Sequence, residues 1–191
     1  EEPRAERAPT EQEIAHKLAE REQALFEAAE RELRQALQDV PDMAGLAESL
    51  IIDNTPEGLR IQIVDQERQS MFPSGSAHMV HRMQVMIDKI AEVVKQVPNQ
   101  IAITGHTDAK PFKTDTGYGN WELSTDRANA SRRALMEAGL QAERISFVTG
   151  KAATEPLIVE DPTLPANRRI SIVLLRETPL VPPGGQAEPQ Q

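Results

Sequence analysis

The sequence predicts an α+β fold: a mixed β-sheet with helices packed on one face, preceded by an N-terminal helical linker. Three observations lead to this prediction. Segments in which apolar residues recur every three or four positions alternate with short segments rich in Val and Ile. Proline or glycine lies at most of the junctions between them. At 191 residues, the chain is long enough for one domain with a sizeable core and extensions at its ends.

The N-terminal segment, residues 11–40, is predicted to form a single helix that ends before Pro41. Its apolar residues are spaced by three and four: Phe26, Ala29, Leu33, Ala36 and Val40. Two interpretations are open. The helix either packs on the domain, or it pairs with a second copy and spaces the domain from a segment upstream. We therefore assign residues 1–50 to a helical linker or dimerisation segment.

From residue 50 onwards the pattern changes to strands and helices in alternation. The stretch "LIIDNTPEGLRIQIVD" predicts two strands around a turn at residues 56–58. Residues 77–96 are predicted to form a helix with methionine and isoleucine on one side. The stretch "QIAITGHTD" predicts the next strand.

The second half of the domain continues in the same way. Residues 124–138 are predicted to form a helix with Ser124 as its N-cap. The stretches "ISFVTGKA" and "RRISIVLLRE" predict the last two strands, paired with each other. We place the domain at residues 51–177 and a disordered, Pro/Gly-rich tail at residues 178–191.

Charge and composition exclude several classes of function. The formal net charge is −9, and it is concentrated in residues 1–50, which hold 13 acidic and 6 basic side chains. The remaining residues hold 17 acidic and 15 basic side chains and are nearly neutral, so we expect no nucleic-acid partner. The absence of cysteine rules out disulfides, thiolate metal sites and cysteine nucleophiles.

Sequence templates for catalysis are largely missing. The chain contains no phosphate-binding P-loop, no G-x-G-x-x-G and no G-x-S-x-G. His78 and His81 could share a metal ion only with a third ligand that the helical spacing does not supply. His106 and Asp108 fall on one face of a predicted strand and could serve as base and orienter in a cell-wall hydrolase, but no nucleophile lies at a diagnostic distance. We therefore expect no enzyme activity, no metal and no cofactor.

Asp108 and Arg127 are the two charged residues whose positions suggest a binding site. Asp108 lies where a predicted strand runs into a loop, a place where ligands gather in open sheets. Arg127 is predicted in the first turn of the following helix, where the helix dipole disfavours a cation, so an anion is expected nearby. Two interpretations are open: a salt bridge to Asp108 or Asp126, or two separate charges that hold a zwitterion between them.

Four motifs in order, "FPSGSA", "ITGHTD", "LSTDRANA" and "NRRISIVLL", resemble the OmpA-like peptidoglycan-binding domain across residues 55–176. The long segment "AKPFKTDTGYGNWELSTDRANASRR" is similar to the periplasmic region of flagellar stator proteins of the MotB type. In that family an aspartate and an arginine bind the zwitterionic end of diaminopimelate in the peptidoglycan stem peptide. The resemblance places these roles on Asp108 and Arg127.

The same resemblance assigns further ligand-binding residues. Thr107 and Leu123 flank the two charges, and Asn167 and Arg168 open the last motif. Each also has a structural interpretation: Leu123 as a residue under the helix, Asn167 as a turn former, Arg168 as a solvated strand end. Trp121 either stacks on a sugar ring or anchors its loop in the core, and the sequence favours the anchor.

The resemblance implies a non-catalytic peptidoglycan-binding anchor that acts as a homodimer with MotA-type stator subunits in a flagellar motor. The chain begins at Glu1, and no apolar run approaches the roughly 20 residues of a membrane helix. The resemblance further implies that this chain is the periplasmic part of a single-pass inner-membrane protein whose transmembrane helix lies upstream. The alternative is a generic OmpA or Pal-like cell-wall anchor with no link to the flagellar motor.

Overall fold

Five strands form one mixed sheet in the computed structural model, which describes residues 7–41 and 45–178. The strands are β1 (Leu50–Thr55), β2 (Gly58–Val64), β3 (Ile101–His106), β4 (Ile145–Gly150) and β5 (Arg169–Leu175). Their spatial order is β1-β2-β5-β3-β4. The β3 and β4 pair is parallel, and the other neighbouring pairs are antiparallel.

The position of β5 differs from the prediction that the last two strands pair with each other. β5 lies between β2 and β3 and pairs with both, while β4 forms the edge of the sheet. The reason is burial: residues 170–174 are buried along the whole strand, whereas β4 leaves Ser146 and Phe147 exposed. A strand that is buried along its whole length is stabilised most at the centre of a sheet.

Three helices cover one face of the sheet: α1 (Glu11–Gln38), α2 (His81–Val94) and α3 (Asn120–Glu137). The strand residues that face them are almost fully buried, and they form one core with the apolar residues of the helices. The alternate strand positions include Arg60, Gln62, Thr104 and Ser171, which are polar. This two-residue alternation confirms the predicted α+β fold with helices on one face.

The N-terminal helix α1 packs on the domain along its second half. Phe26, Ala29, Leu33 and Leu37 are buried in the common core. Its first half instead exposes Ile14 and Leu18. The second half of α1 therefore packs on the domain and lies against α2, which is the first of the two interpretations left open by the sequence.

A buried carboxylate also ties α1 to the sheet. Glu22 Oε1 accepts hydrogen bonds from Asn99 Nδ2 at 2.7 Å and from the amide of Glu177 at 2.8 Å. Glu22 Oε2 lies 3.7 Å from Arg176 Nη1, and the Arg176 guanidinium lies 5.2 Å from the centre of the Phe26 ring. These contacts hold the helix at the end of β5.

Helix α3 begins at Asn120, four residues before the predicted N-cap Ser124. Gly119 is the cap, and its amide donates to Glu122 Oε2 at 2.8 Å. The Ser124 hydroxyl is used differently, since Ser124 Oγ accepts a hydrogen bond from the amide of Ala152 at 3.1 Å. Arg127 therefore lies beyond the first turn, and the expected conflict with the helix dipole does not arise.

Close approach to β3 fixes where α3 lies. A Cβ atom added to Gly105 would stand 2.0 Å from the carbonyl oxygen of Ser124, so only glycine allows this contact. The helix consequently lies against the end of β3, and its Leu123 and Arg127 come close to the residues that follow that strand.

Several predictions fall at the borders of the described residues. Residues 179–191, almost all of the predicted tail, lie outside them, as do residues 42–44. A short 3-10 helix spans Ala47–Ser49. Among the residues described, no helix combines the length and the apolar character needed to cross a membrane.

Candidate functional site

A cleft of about 370 Å³ lies at the carboxyl end of β3. Three segments and one arginine surround it: the loop before α2, the loop after β3, the first turns of α3, and Arg168. Five of the six predicted site residues line it, namely Thr107, Asp108, Leu123, Arg127 and Arg168. The remaining lining residues are Ser70, Phe72, Ser74, Gly75, Lys110, Pro111, Phe112 and Asn120.

Asp108 is almost fully buried, and each of its carboxylate oxygens accepts one hydrogen bond. Oδ1 accepts from the amide of Lys110 at 3.0 Å, and Oδ2 accepts from Arg168 Nη1 at 2.8 Å. A carboxylate oxygen can accept two hydrogen bonds, so each oxygen of Asp108 retains acceptor capacity for a ligand cation.

Arg127 is 5% exposed and is held by main-chain carbonyl groups of the loop before α2. Its Nε donates to Ser76 O at 2.8 Å, and its Nη2 donates to Pro73 O at 3.1 Å. The guanidinium carbon lies 5.0 Å from the centre of the Phe72 ring. Nη1 makes no hydrogen bond to the described residues, so it is the edge that an anion in the cleft can bind.

The two charges are not paired with each other. Within the described part of the chain, no ion pair joins Asp108 or Asp126 to Arg127. Asp126 instead accepts a hydrogen bond from the Tyr118 hydroxyl at 2.7 Å. Burial lowers the pKa of Arg127. The salt-bridge interpretation is therefore wrong for this structure, and the second one, two separate charges on one cleft, is the arrangement that is found.

Arg168 forms a double ion pair beneath the cleft. Its Nε donates to Asp65 Oδ2 at 2.9 Å and its Nη1 donates to Asp108 Oδ2 at 2.8 Å. Burial acts to lower the pKa of Arg168, but the hydrogen bonds to the two carboxylates outweigh it and raise the pKa. Arg168 is therefore a paired cation and not a solvated strand end.

Thr107 and Leu123 also line the cleft. Leu123 is buried and supplies an apolar wall. Thr107 is 3% exposed, and its Oγ1 is buried with no hydrogen-bond partner among the described residues. Thr107 therefore contributes to the wall of the cleft, while its hydroxyl oxygen is not exposed to it.

Asn167 is the one predicted site residue that lies away from the cleft. It is fully buried, and its amide group bridges two parts of the preceding loop. Oδ1 accepts from the amide of Ile158 at 2.8 Å, and Nδ2 donates to Asp161 O at 3.0 Å. The contacts match the structural interpretation of Asn167, in which it fixes the loop that leads into β5.

The loop at residues 109–120 forms the outer wall of the cleft. The Phe112 and Tyr118 rings meet edge to face with their centres 6.2 Å apart, and the amide of Thr114 donates to Tyr118 O. Asn120 Nδ2 donates to Lys110 O at 3.1 Å, which joins the two ends of the loop. Trp121 is 56% exposed, so the prediction that it anchors this loop in the core is wrong.

His106 and Asp108 do not form the arrangement that a hydrolase requires. His106 does not line the cleft, and no hydrogen bond joins it to Asp108 in the part of the chain that is described. Burial, together with the nearby Arg169 guanidinium, lowers the pKa of His106 to about 4. His78 lies before α2, so it does not share a helix with His81. The described residues contain no group of three potential metal ligands.

Stability is expected to fall on acidification because of His106. An unfolded histidine binds a proton near pH 6.5, whereas His106 in the folded chain stays neutral down to about pH 4, so acid favours the unfolded chain in this window. Between about pH 7 and about pH 4.5, His106 should remove about 2 kcal/mol from the free energy of unfolding. In His106→Gln, the free energy of unfolding measured with urea should fall over this pH range by about 2 kcal/mol less than it does in the unmodified chain.

The exposed His16 in α1 offers a matched control for this prediction. His16→Gln makes the same substitution at an exposed position and should change the free energy of unfolding by less than about 0.5 kcal/mol. Equal pH dependence in His106→Gln and the unmodified chain would contradict the assignment.

The sequence alone would not have identified Asp65 and Phe72 as parts of this site. Asp65 ends a predicted strand, and Phe72 opens the "FPSGSA" motif. A lone carboxylate directly after an apolar strand is the one available signal for Asp65. Phe72 carries no signal beyond the motif.

Comparison with known proteins adds family information to this geometry. A model described as the OmpA family matches residues 71–169, which are about half of the chain and include every residue that lines the cleft except Ser70. Motility protein B of Escherichia coli K12 is 42% identical over 157 residues, which cover 82% of this chain and 51% of that protein. Motility protein B of Bacillus subtilis is 30% identical over 125 residues, covering 63% of this chain and 46% of that protein. The chain thus spans about half the length of these relatives.

Solved structures show the same fold. The periplasmic domain of Helicobacter pylori MotB aligns with a TM-score of 0.59 and 21% identity over 68% of this chain and 81% of that one. A structure described as the cell wall anchor of the T6SS from Pseudomonas aeruginosa aligns with a TM-score of 0.60 and 27% identity over 76% of this chain and 97% of that one.

Proposed function

The chain belongs to the OmpA family, and on that premise we propose that it is the peptidoglycan-binding region of a flagellar stator subunit of the MotB type. Its role is to fix the stator to the cell wall without catalysis. The identity to motility protein B favours this role over a generic cell-wall anchor.

One observation carries the proposal: Asp108 and Arg127 line the same cleft without being paired to each other. A zwitterion needs a carboxylate and a cation that stand apart on one surface. The zwitterionic end of diaminopimelate offers an ammonium for Asp108 and a carboxylate for Arg127 Nη1.

A single stem peptide should bind weakly to this cleft. Two charge-assisted pairs contribute about 1.5 to 3 kcal/mol each in favourable cases. Association of a free fragment costs at least about 4 kcal/mol of lost translational and rotational freedom. Firm attachment therefore depends on several sites that bind one polymer, because linked sites raise the apparent affinity.

A homodimer would supply two such sites, and α1 offers a surface for it. Ile14, Leu18 and Leu25 are exposed on α1 and are spaced by four and seven residues, as along the seam of paired helices. Sedimentation equilibrium measures this association directly, and a monomer at all concentrations would contradict it for this chain. In the whole protein, α1 would lead from a transmembrane helix that contacts MotA-type subunits to the anchor in the periplasm.

The ligand is tested by titration of the ¹⁵N-labelled chain with a soluble muropeptide that contains meso-diaminopimelate. We expect the amide signals of residues 107–110 and 123–127 to shift, because these residues line the cleft. An analogue with lysine in place of diaminopimelate keeps the ammonium but lacks the carboxylate for Arg127, so it should bind at least about tenfold more weakly. Equal binding of both peptides, or shifts confined to another surface, would contradict the proposal.

A further inference from the structure

We propose that Asp65 is a positioning residue that holds both charges of the cleft in place, Asp108 through Arg168 and Arg127 through the loop at residues 71–76. The inference rests on the function proposed above, since it names the residue that prepares that site. Asp65 does not line the cleft and would not contact the ligand.

The first connection runs through Arg168. Asp65 follows β2, is 5% exposed, and accepts a hydrogen bond from Arg168 Nε through Oδ2. The same guanidinium donates from Nη1 to Asp108 Oδ2. Because Nε and Nη1 belong to one planar group, the bond to Asp65 fixes the direction in which Nη1 meets Asp108. The carboxylate of Asp108 is thereby oriented before a ligand arrives.

The second connection runs through the loop before α2. Asp65 Oδ1 accepts a hydrogen bond from the amide of Met71 at 2.7 Å, which fixes the start of that loop. The carbonyl groups of Pro73 and Ser76 in the loop accept from Arg127, and the Phe72 ring lies against its guanidinium. One buried carboxylate thus supports the cation side of the cleft as well as the anion side.

The position of Asp65 calls for an ionised carboxylate, because both neighbouring groups donate hydrogen bonds. Both of its oxygens face donors, the Arg168 Nε and the Met71 amide, so the site is suited to a group that only accepts hydrogen bonds. An asparagine could still accept from Met71, but its NH₂ group would then face the Arg168 Nε–H, donor against donor. Arg168 would lose its fixed orientation while the loop remained attached.

The test measures affinity for the meso-diaminopimelate muropeptide in the unmodified chain, Asp65→Asn, Arg168→Gln and the double variant. In the unmodified chain and Asp65→Asn, which both keep Arg168, it also measures the ¹⁵N signal of the Arg168 Nε–H. We expect Asp65→Asn to bind about tenfold more weakly, as for the loss of one charge-assisted contact. Because Asp65→Asn acts through Arg168, the double variant should bind no more weakly than Arg168→Gln alone. The Arg168 signal should shift in Asp65→Asn without any ligand.

Asp53→Asn is the matched control, because Asp53 forms a similar pair with Arg60 away from the cleft. It should change neither the affinity nor the Arg168 signal. Unchanged affinity in folded Asp65→Asn, or losses that simply add in the double variant, would overturn the inference. If the unmodified chain itself fails to bind the muropeptide, the proposed function fails instead, and an unchanged Arg168 signal in Asp65→Asn would still overturn this inference separately.

Discussion

Asp108→Asn and Arg127→Lys are each expected to reduce co-sedimentation with diaminopimelate-type peptidoglycan by at least about tenfold. Asparagine keeps the size of Asp108 and an acceptor for the Lys110 amide, but it removes the charge that would bind the ligand ammonium. Lysine keeps the charge of Arg127, but its single ammonium cannot bond the carbonyl groups of Pro73 and Ser76 and also reach a carboxylate in the cleft. Circular dichroism should show that both variants fold.

Asp126→Asn provides the control for these two variants. Asp126 lies next to Arg127 in α3, but it bonds Tyr118 and does not line the cleft. It should pellet with peptidoglycan as the unmodified chain does. Undiminished pelleting of both folded Asp108→Asn and Arg127→Lys would show that the two charges are structural and that the wall binds elsewhere.

Glu22→Ala is expected to lower the free energy of unfolding by about 3 kcal/mol, the scale for breaking one partner of a buried ion pair. The substitution leaves Asn99 Nδ2, the Glu177 amide and Arg176 without their buried acceptor. It also removes the main polar link between α1 and the sheet. Urea unfolding measures the loss of stability, and faster hydrogen exchange in α1 locates it in the helix.

Glu20 lies in the same helix but is exposed, so Glu20→Ala changes the helix propensity and the charge as Glu22→Ala does without touching the buried contacts. Glu20→Ala should change the free energy of unfolding by less than about 0.5 kcal/mol, as is usual for exposed positions. Similar stabilities for Glu22→Ala and Glu20→Ala would mean that the buried contacts contribute little to the docking of α1.

The elements of the fold could be predicted because each has its own local pattern. The apolar spacing of α1 and the alternation in β2 depend only on neighbours along the chain. The place of β5 between β2 and β3 could not be predicted, because it depends on pairing between segments that are far apart in sequence. The predicted start of α3 was also wrong because of a contact between distant segments. The Ser124 hydroxyl accepts a hydrogen bond from the amide of Ala152 and does not cap its own helix.

The two charges of the candidate site were predicted from their places at a strand end and in a helix, and then from the motifs, while the contacts that hold them were not. Arg127 is held by carbonyl groups, which every residue possesses and which therefore leave no mark in the sequence. Asp65 and Arg168 pair across 103 positions, so no local pattern connects them. Trp121 was predicted to anchor its loop in the core because it stands next to a helix start, but Phe112 and Tyr118 close the loop and leave the indole exposed.

The central claim is that Asp108 and Arg127 hold opposite ends of one zwitterion. A crystal structure of the chain with a meso-diaminopimelate tripeptide tests it most directly. The account predicts the ligand ammonium within hydrogen-bond distance of Asp108 and the ligand carboxylate on Arg127 Nη1, with Arg168 still bonded to Asp65. A tripeptide bound at another surface, or one that contacts neither Asp108 nor Arg127, would contradict the account.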